Sequence, residues 1–253
     1  MVGAWISQIF NWRANFIVIL ILASVLFMGT FLFVEETLSE SKRKTFHPFA
    51  AFRNYVKLLK SFEFICYTLI VNFPFTAIVV YIANLSVIFM NYIGMGLIEF
   101  SYYQATTMLT FIIFSLFSIK LIDKKGLDYT KNLGGLLALI GSAGLYYISH
   151  IDDMDVNIIS VSMALVAAGG ALMAGTFGMK AMSVFPEMIG TSMSMMIAIR
   201  QFLASGLVIL SELFFDGTII PVATIIFLYA VISTFCYAAL FHKHRSNRFV
   251  RKI

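Results

Sequence analysis

The sequence predicts an all-α membrane protein with seven transmembrane helices, and three observations carry that prediction. The 253 residues are 60% hydrophobic and only 12% charged, with a mean hydropathy of +0.90, whereas soluble domains average about 45–50% apolar and about 25% charged residues. Long uncharged runs match the roughly 20 apolar residues needed to cross a hydrocarbon core of about 30 Å. Lys and Arg concentrate in alternate segments between those runs, as cytoplasmic loops require. A soluble enzyme, a nucleic-acid-binding domain and a disordered chain are excluded on the same grounds, and the net charge of +5 reads as membrane topology.

The first span is Phe16–Val34, uncharged and flanked by Arg13 and by Glu35 and Glu36. A polar segment follows with Lys42, Arg43, Lys44, Arg53, Lys57 and Lys60. Within it Arg53, Lys57 and Lys60 fall at i, i+4 and i+7, while Phe49, Phe52, Val56 and Leu59 take the other side. That pattern describes an amphipathic helix, either lying on the anionic cytoplasmic surface or joining two bundles. From Phe64 to Ile119 only Glu99 is charged, and Asn91, Gly94 and Gly96 suit a turn, giving spans at about 64–88 and 100–120. The basic group Lys120, Lys124, Lys125 and Lys131 separates these from a fourth span at about 132–149. Asp152, Asp153 and Asp155 close it on the opposite side. Spans at about 157–179, 188–211 and 218–241 complete the count, before the basic tail His242–Ile253. Sixteen of the 18 Lys and Arg residues fall in alternate loops or in the tail, Arg13 and Arg200 being the exceptions. The N-terminus is therefore expected outside and the C-terminus in the cytoplasm. No basic, apolar and cleavable leader pattern precedes the first span.

Small residues recur every four positions in two spans, Gly134, Ala138 and Ser142 in the fourth and Gly170, Ala174 and Gly178 in the fifth. Such stripes let membrane helices approach closely. Pro74 is expected to kink or break the second span locally. Cys66 and Cys236 both lie in apolar runs and read as small buried hydrophobes. Arg200 is the costly residue, because a cation at mid-span costs at least about 2.5–3.5 kcal/mol on insertion scales. No acidic residue lies at matching depth in another span. Arg200 is either a structural residue satisfied by carbonyls or a group of a wet cavity, with neighbouring Gln201, and Asn72 of the second span, as weaker hydrogen-bonding candidates. Tyr81, Gln104, Thr106 and Thr107 are further polar groups within spans.

Several chemistries lack their residues. The four histidines, His47, His150, His242 and His244, fall in loops or the tail, and no span holds an Asp, so an intramembrane protease has no Ser-His, paired-Asp or H-E-x-x-H centre. The last span has no Lys for a retinal Schiff base, and there is no phosphate-binding glycine loop. No enzymatic activity, cofactor or metal is expected.

Other stretches carry a resemblance. Trp12, Arg13 and Phe16, an apolar span, then Glu35, Glu36, Thr37 and Leu38 resemble the sixth helix of the major facilitator superfamily, closest to its bicyclomycin/chloramphenicol-type drug-efflux branch. The segment from Phe49 to Tyr55 with Arg53 and Asn54, followed by Leu58, Leu59, Phe62 and Phe64, is similar to that branch's approach to helix seven. Phe185, Pro186, Gly190, Thr191, Ser192 and Gln201 resemble the start of helix eleven, Arg200 departing from the pattern. Asp123, Lys124 and Gly126 look like a degenerate copy of the cytoplasmic helix 8–9 motif, acting in a gate or turn. The resemblance implies a helix like the sixth at 1–38, a cytoplasmic amphipathic linker at 39–63, a six-helix bundle at 64–241 corresponding to helices seven to twelve, and a basic cytoplasmic tail at 242–253. It implies proton-coupled export of small amphipathic compounds across the bacterial inner membrane, with the substrate site between two six-helix halves. The chain then corresponds to a truncated transporter, or to a half that works with a separately encoded N-terminal partner. The alternative is a non-transporting interaction protein that docks through Arg53, Lys57, Lys60 and the tail.

Overall fold

In the computed structural model, residues 2–34, 48–151 and 155–250 are described, and among them the regular structure is helical with no strand. The helices are α1 (Val2–Ile9), α2 (Trp12–Phe33), α3 (Pro48–Lys60), α4 (Phe62–Ser86), α5 (Leu97–Lys125), α6 (Leu127–Ile148), α7 (Val156–Ser183), α8 (Ile189–Leu213) and α9 (Ile220–Val250). The Glu35–Leu38 motif, Lys42, Arg43, Lys44, His47, Asp152, Asp153 and the last three residues lie outside the described residues.

Local chemistry sets the boundaries. Asn11 caps α2, its Oδ1 accepting from the Arg13 and Ala14 amides at 2.9 and 3.3 Å. Ser61 caps α4 through Phe64 N at 3.3 Å, and Asp155 caps α7 through Asn157 N at 2.8 Å. Each supplies an acceptor to a first-turn N–H that has no partner within its helix. Gly126, at φ 84°, ends α5 and starts α6, a left-handed conformation that any side chain would strain. Helices outrun several predicted spans because their terminal lysines stay helical. Lys124 and Lys125 occupy the last turn of α5 and Lys180 that of α7, where cations complement the exposed carbonyls. Likewise α9 continues through what the sequence reads as a separate tail, to Val250. Helix α4 runs through Pro74 without a break and is followed by a π-helical turn at Val87–Tyr92.

Among the described residues six helices are long and apolar enough to cross a membrane: Trp12–Phe33, Phe62–Met90, Leu97–Lys125, Val156–Ser183, Pro186–Leu213 and Ile220–His242. The predicted fourth span corresponds to α6, which has the length, at 22 residues, but is diluted by Lys131, Asn132, four glycines and three tyrosines. The physical reason is its partner: α6 turns its small residues against α7, where van der Waals contact rather than apolarity holds the pair.

The core centres on α4 and α7. Tyr81, Phe64, Phe73, Phe89 and Phe177 are its largest fully buried side chains. A Cβ on Gly134 would lie 2.8 Å from the Gly169 carbonyl oxygen, and one on Gly141 2.6 Å from that of Ser162. Helices α6 and α7 therefore touch backbone to backbone along the predicted Gly134–Ala138 stripe. The predicted α7 stripe points elsewhere: Gly170 meets the Pro74 ring, with a Cβ position only 2.1 Å away, and Gly178 faces Val71. The glycine that α6 uses is Gly169, one position earlier. Cys66 and Cys236 are buried in one apolar cluster as thiols rather than as a disulfide. Helix α2 has no buried residue. Its neighbour is α1, which it holds through Asn15 Nδ2 donating to Gly3 O at 3.1 Å and Ser7 Oγ at 2.7 Å.

Candidate functional site

Two of the predicted polar residues, Asn72 and Arg200, lie where the middles of α4 and α8 pack together. Asn72 is buried, and its Nδ2 donates to the Met196 carbonyl at 3.0 Å. Met196 precedes Arg200 by four residues, so the same carbonyl receives the helical hydrogen bond from the Arg200 amide. Asn72 thus fastens the turn that carries Arg200. One turn after Asn72, Phe75 lies beneath the guanidinium, with Arg200 Cζ 4.1 Å from the ring centroid. That geometry is a cation–π contact, the kind that stabilises a cation away from water. Phe75 escaped the sequence reading, although its i+3 spacing from Asn72 puts both on one face of α4.

The contact does not satisfy the guanidinium. Arg200 Nε is buried and has no hydrogen-bond partner, and among the described residues Arg200 forms no ion pair; the two pairs seen are Lys57–Glu187 and Lys131–Asp128. Gln201 turns away from Asn72 onto an exposed face, in line with exposed Ser194 and Ser205. Residues 194, 201 and 205 share a helical face, giving α8 an exposed polar stripe at the level of Arg200, about 100–140° around the helix from it. Ser194 returns its hydroxyl to Gly190 O at 2.9 Å. A second polar tie joins the same helices deeper in the bundle, where Asn84 Nδ2 donates to Ser211 Oγ at 2.8 Å.

The remaining predicted groups stand apart from Arg200. Tyr81 is fully buried with its hydroxyl near that of Ser160 and in no direct hydrogen bond. Thr107 is also buried and unpartnered. Thr106 donates to Tyr102 O at 3.0 Å and lines, with half-exposed Tyr103, a cavity of about 310 Å³ between α5 and α7. Asp123 is exposed within α5, one turn before Gly126, whose N–H bonds to Ile122 O at 2.8 Å and which alone makes the α5–α6 turn. On α3, Arg53 and Lys60 are exposed, whereas Lys57 pairs with Glu187 at 3.2 Å and lies over the Phe185 ring at 4.7 Å. Helix α3 is thereby tied to the start of α8, with Leu58 fully buried and Phe49, Phe52 and Leu59 exposed.

The side chains where α4 meets α8 suit binding chemistry. They supply a fixed cation with a spare N–H donor, an aromatic face and an adjoining polar stripe, and no nucleophile–base pair. The α7–α8 connection bearing Phe185 and Pro186 brings α8 up to that position as one uninterrupted helix.

Comparison with known proteins agrees with this architecture. The chain is 21% identical over 201 residues to a bicyclomycin resistance protein homologue of Haemophilus influenzae, a match covering 79% of this chain and 50% of that protein. The chain thus spans about half the length of the curated relative it matches. The family model of the Major Facilitator Superfamily matches residues 1–209, which takes in α1 to α7 and most of α8, including Arg200. The chain belongs to the major facilitator superfamily, a family of membrane transporters and not of enzymes.

Proposed function

We propose that the chain acts in proton-coupled export of small amphipathic compounds, as the second half of a drug-efflux-type transporter. Arg200 is its substrate-facing cation. The observation that carries this reading is the buried, unpartnered Nε of Arg200 at the level of the exposed stripe of Ser194, Gln201 and Ser205. A stripe of this kind facing lipid tails is costly, so it calls for a cavity or another helix. The likeness to a bicyclomycin resistance protein homologue favours a drug-like substrate. In the proposed arrangement α6 is the seventh crossing, the N-terminus lies outside the plasma membrane and the C-terminus inside. Helix α2, which buries nothing against this bundle, packs with a separately encoded N-terminal half. Arg200 meets an anionic group of the substrate or a carboxylate of that half, while Asn72 holds its helix turn in register. Gly126 makes the cytoplasmic gate turn, with Asp123 on the α5 turn before it, and α3 with Arg53, Lys57 and Lys60 rests on the membrane surface.

Flux of a fluorescent amphipathic carboxylate in vesicles tests the reading. Transport is expected when the chain is co-produced with a five-helix N-terminal piece and absent for the chain alone. Arg200→Ala should lower flux at least ten-fold while Arg200→Lys retains part of it. Unchanged flux in Arg200→Ala overturns the cavity role, and flux from the chain alone overturns the need for a partner. No flux in any combination, with the basic α3 still recruiting soluble protein, favours the non-transporting interaction role.

A further inference from the structure

A second feature lies away from the α4–α8 midplane. Between α6, α7 and α9 a cavity of about 500 Å³ opens on the flank of the bundle. One end is marked by Lys131, Asn132 and Tyr237, and the other reaches Phe73 and Ala230 near the middle of α4 and α9. From Ala230 to Phe241 the α9 wall measures about 17 Å at 1.5 Å per residue. Half of a hydrocarbon core is about 15 Å, so the groove runs the depth of one leaflet. Its interior wall is mainly apolar, with Ala138, Met173 and Phe177 buried and with Ser233 and Thr234 as polar members on α9, Thr234 donating to Ala230 O at 2.8 Å, and the exposed side chains of Leu136 and Phe241 form its lips. The groove therefore faces the lipid.

The polar end is a positive shelf. The Lys131 side chain is only 11% exposed, and its ammonium group lies 5.8 Å from the centroid of the Tyr237 ring. Tyr237 is itself fixed by its hydroxyl donating to Asn132 Oδ1. Lys180, at the end of α7, is half-buried and within electrostatic reach of Lys131. The acid on this shelf is Asp128, which pairs with Lys131 from a side chain that is 86% exposed. Two ammonium groups sharing one water-facing carboxylate leave a net positive charge at the mouth of an apolar channel. An occupant that satisfies both parts carries an anionic head and a long hydrocarbon chain.

We infer that this groove binds one anionic phospholipid from the leaflet at the Lys131 end, its phosphate on Lys131 and Lys180 and one acyl chain along α9. Under the topology proposed above that leaflet is cytoplasmic, but the binding test depends neither on orientation nor on transport. The full chain is reconstituted in bilayers of phosphatidylcholine, and motionally restricted spin-labelled phosphatidylglycerol or phosphatidylcholine is counted by electron spin resonance. About one restricted phosphatidylglycerol per chain is expected beyond the ordinary boundary lipid, preferred roughly five-fold over phosphatidylcholine for each contributing lysine. The double substitution Lys131→Gln with Lys180→Gln should abolish the preference, and Lys131→Arg with Lys180→Arg should keep it. A Cβ on Gly135 meets nothing within 4 Å although the residue lines the groove. Gly135→Leu should therefore fill the channel and remove the restricted lipid with both lysines intact. Equal restriction of the two lipids in the unaltered chain overturns the inference. So does a preference that survives Gly135→Leu and is erased by millimolar inorganic phosphate, which marks a free-anion site. If the glutamine pair fails to fold, the arginine pair and Gly135→Leu still decide the matter.

Discussion

Helices α7 and α8 are built from similar material and end in opposite environments. Both are membrane-length, apolar and rich in small residues, yet most of the α7 span is buried and very little of the α8 span is. On α7 the small residues are locked in place: Gly169 meets the Gly134 carbonyl and Gly170 meets Pro74. On α8 a Cβ at Gly190 or Gly206 would touch nothing within 4 Å. Small residues in a membrane helix thus mark where a backbone can be approached, but not whether the approaching helix belongs to the same chain. The polar mid-span stripe of α8 adds the second half of the lesson, because a helix that carries Arg200 and Gln201 at that depth is not finished by lipid.

The comparison breaks most decisively at Gly169. A side chain there starts 2.4 Å from the Gly134 oxygen and 2.5 Å from the Ala138 nitrogen, backbone atoms that cannot swing aside. Gly169→Leu should cost more than the about 1–3 kcal/mol typical of overpacking and abolish recovery of a monodisperse protein in detergent. Gly206→Leu should be recovered normally. Equal tolerance of both substitutions would show that α6 and α7 do not meet as described. A smaller loss is expected where α8 is fastened to α4. Asn84→Ala removes the bond to Ser211 and leaves a buried hydroxyl with its own donation to Val208 O at 2.7 Å. The expected cost is about 0.6–2 kcal/mol, the range for hydrogen bonds between membrane helices. A thiol-reactive dye that reports exposure of buried Cys66 and Cys236 on heating reads it. No further loss should follow when Ser211→Ala is added, since both substitutions delete one interaction.

The sequence was most legible where composition alone decides the outcome. Uncharged runs gave the helices, and Asn91, Gly94 and Gly96 correctly separated α4 from α5, with Gly94 at φ 75° in the turn. Asn72 and Arg200 stand out in the sequence by their depth, and Asn72 donates to the Met196 carbonyl, one turn before Arg200 on α8. What stayed hidden was pairing. Gly169 and Gly170 are adjacent, and only the rotation of α7 decides which faces α6 and which faces Pro74. Gln201 follows Arg200 directly, and the 100° turn between neighbouring helical residues sends its side chain to the outer face. Lys57 reads as a membrane-facing charge until α3 is placed against Glu187, 130 residues away.

A subtler change sharpens the contrast by its sign. Gly206→Ala fills open space and removes a helix-interior glycine, so the chain alone should gain up to about 1 kcal/mol in the same thermal assay. If α8 closes against a partner half, the same methyl group should weaken assembly with that half, as measured by co-purification. A gain in both settings would leave Gly206 facing lipid and count against an interface at that level of α8.

The smallest effect belongs to the contact that looks most deliberate. Lys57 and Glu187 form an ion pair between side chains that are 54% and 59% exposed, and such surface pairs are worth about 0–1 kcal/mol. The side chain that anchors α3 is Leu58, with no exposed area. Lys57→Gln should therefore shift thermal stability by less than about 1 kcal/mol, and the shift should shrink as salt rises past about 0.15 M, where exposed charges are screened beyond about 8 Å. Because Lys57 also covers the Phe185 ring at 4.7 Å, Lys57→Gln should cost slightly more than Glu187→Gln, which leaves that contact in place. A loss well above 1 kcal/mol that falls as salt rises would mean that α3 is clamped to the start of α8 by charge. The linker would then be a structural part of the bundle and not a helix resting on the membrane surface.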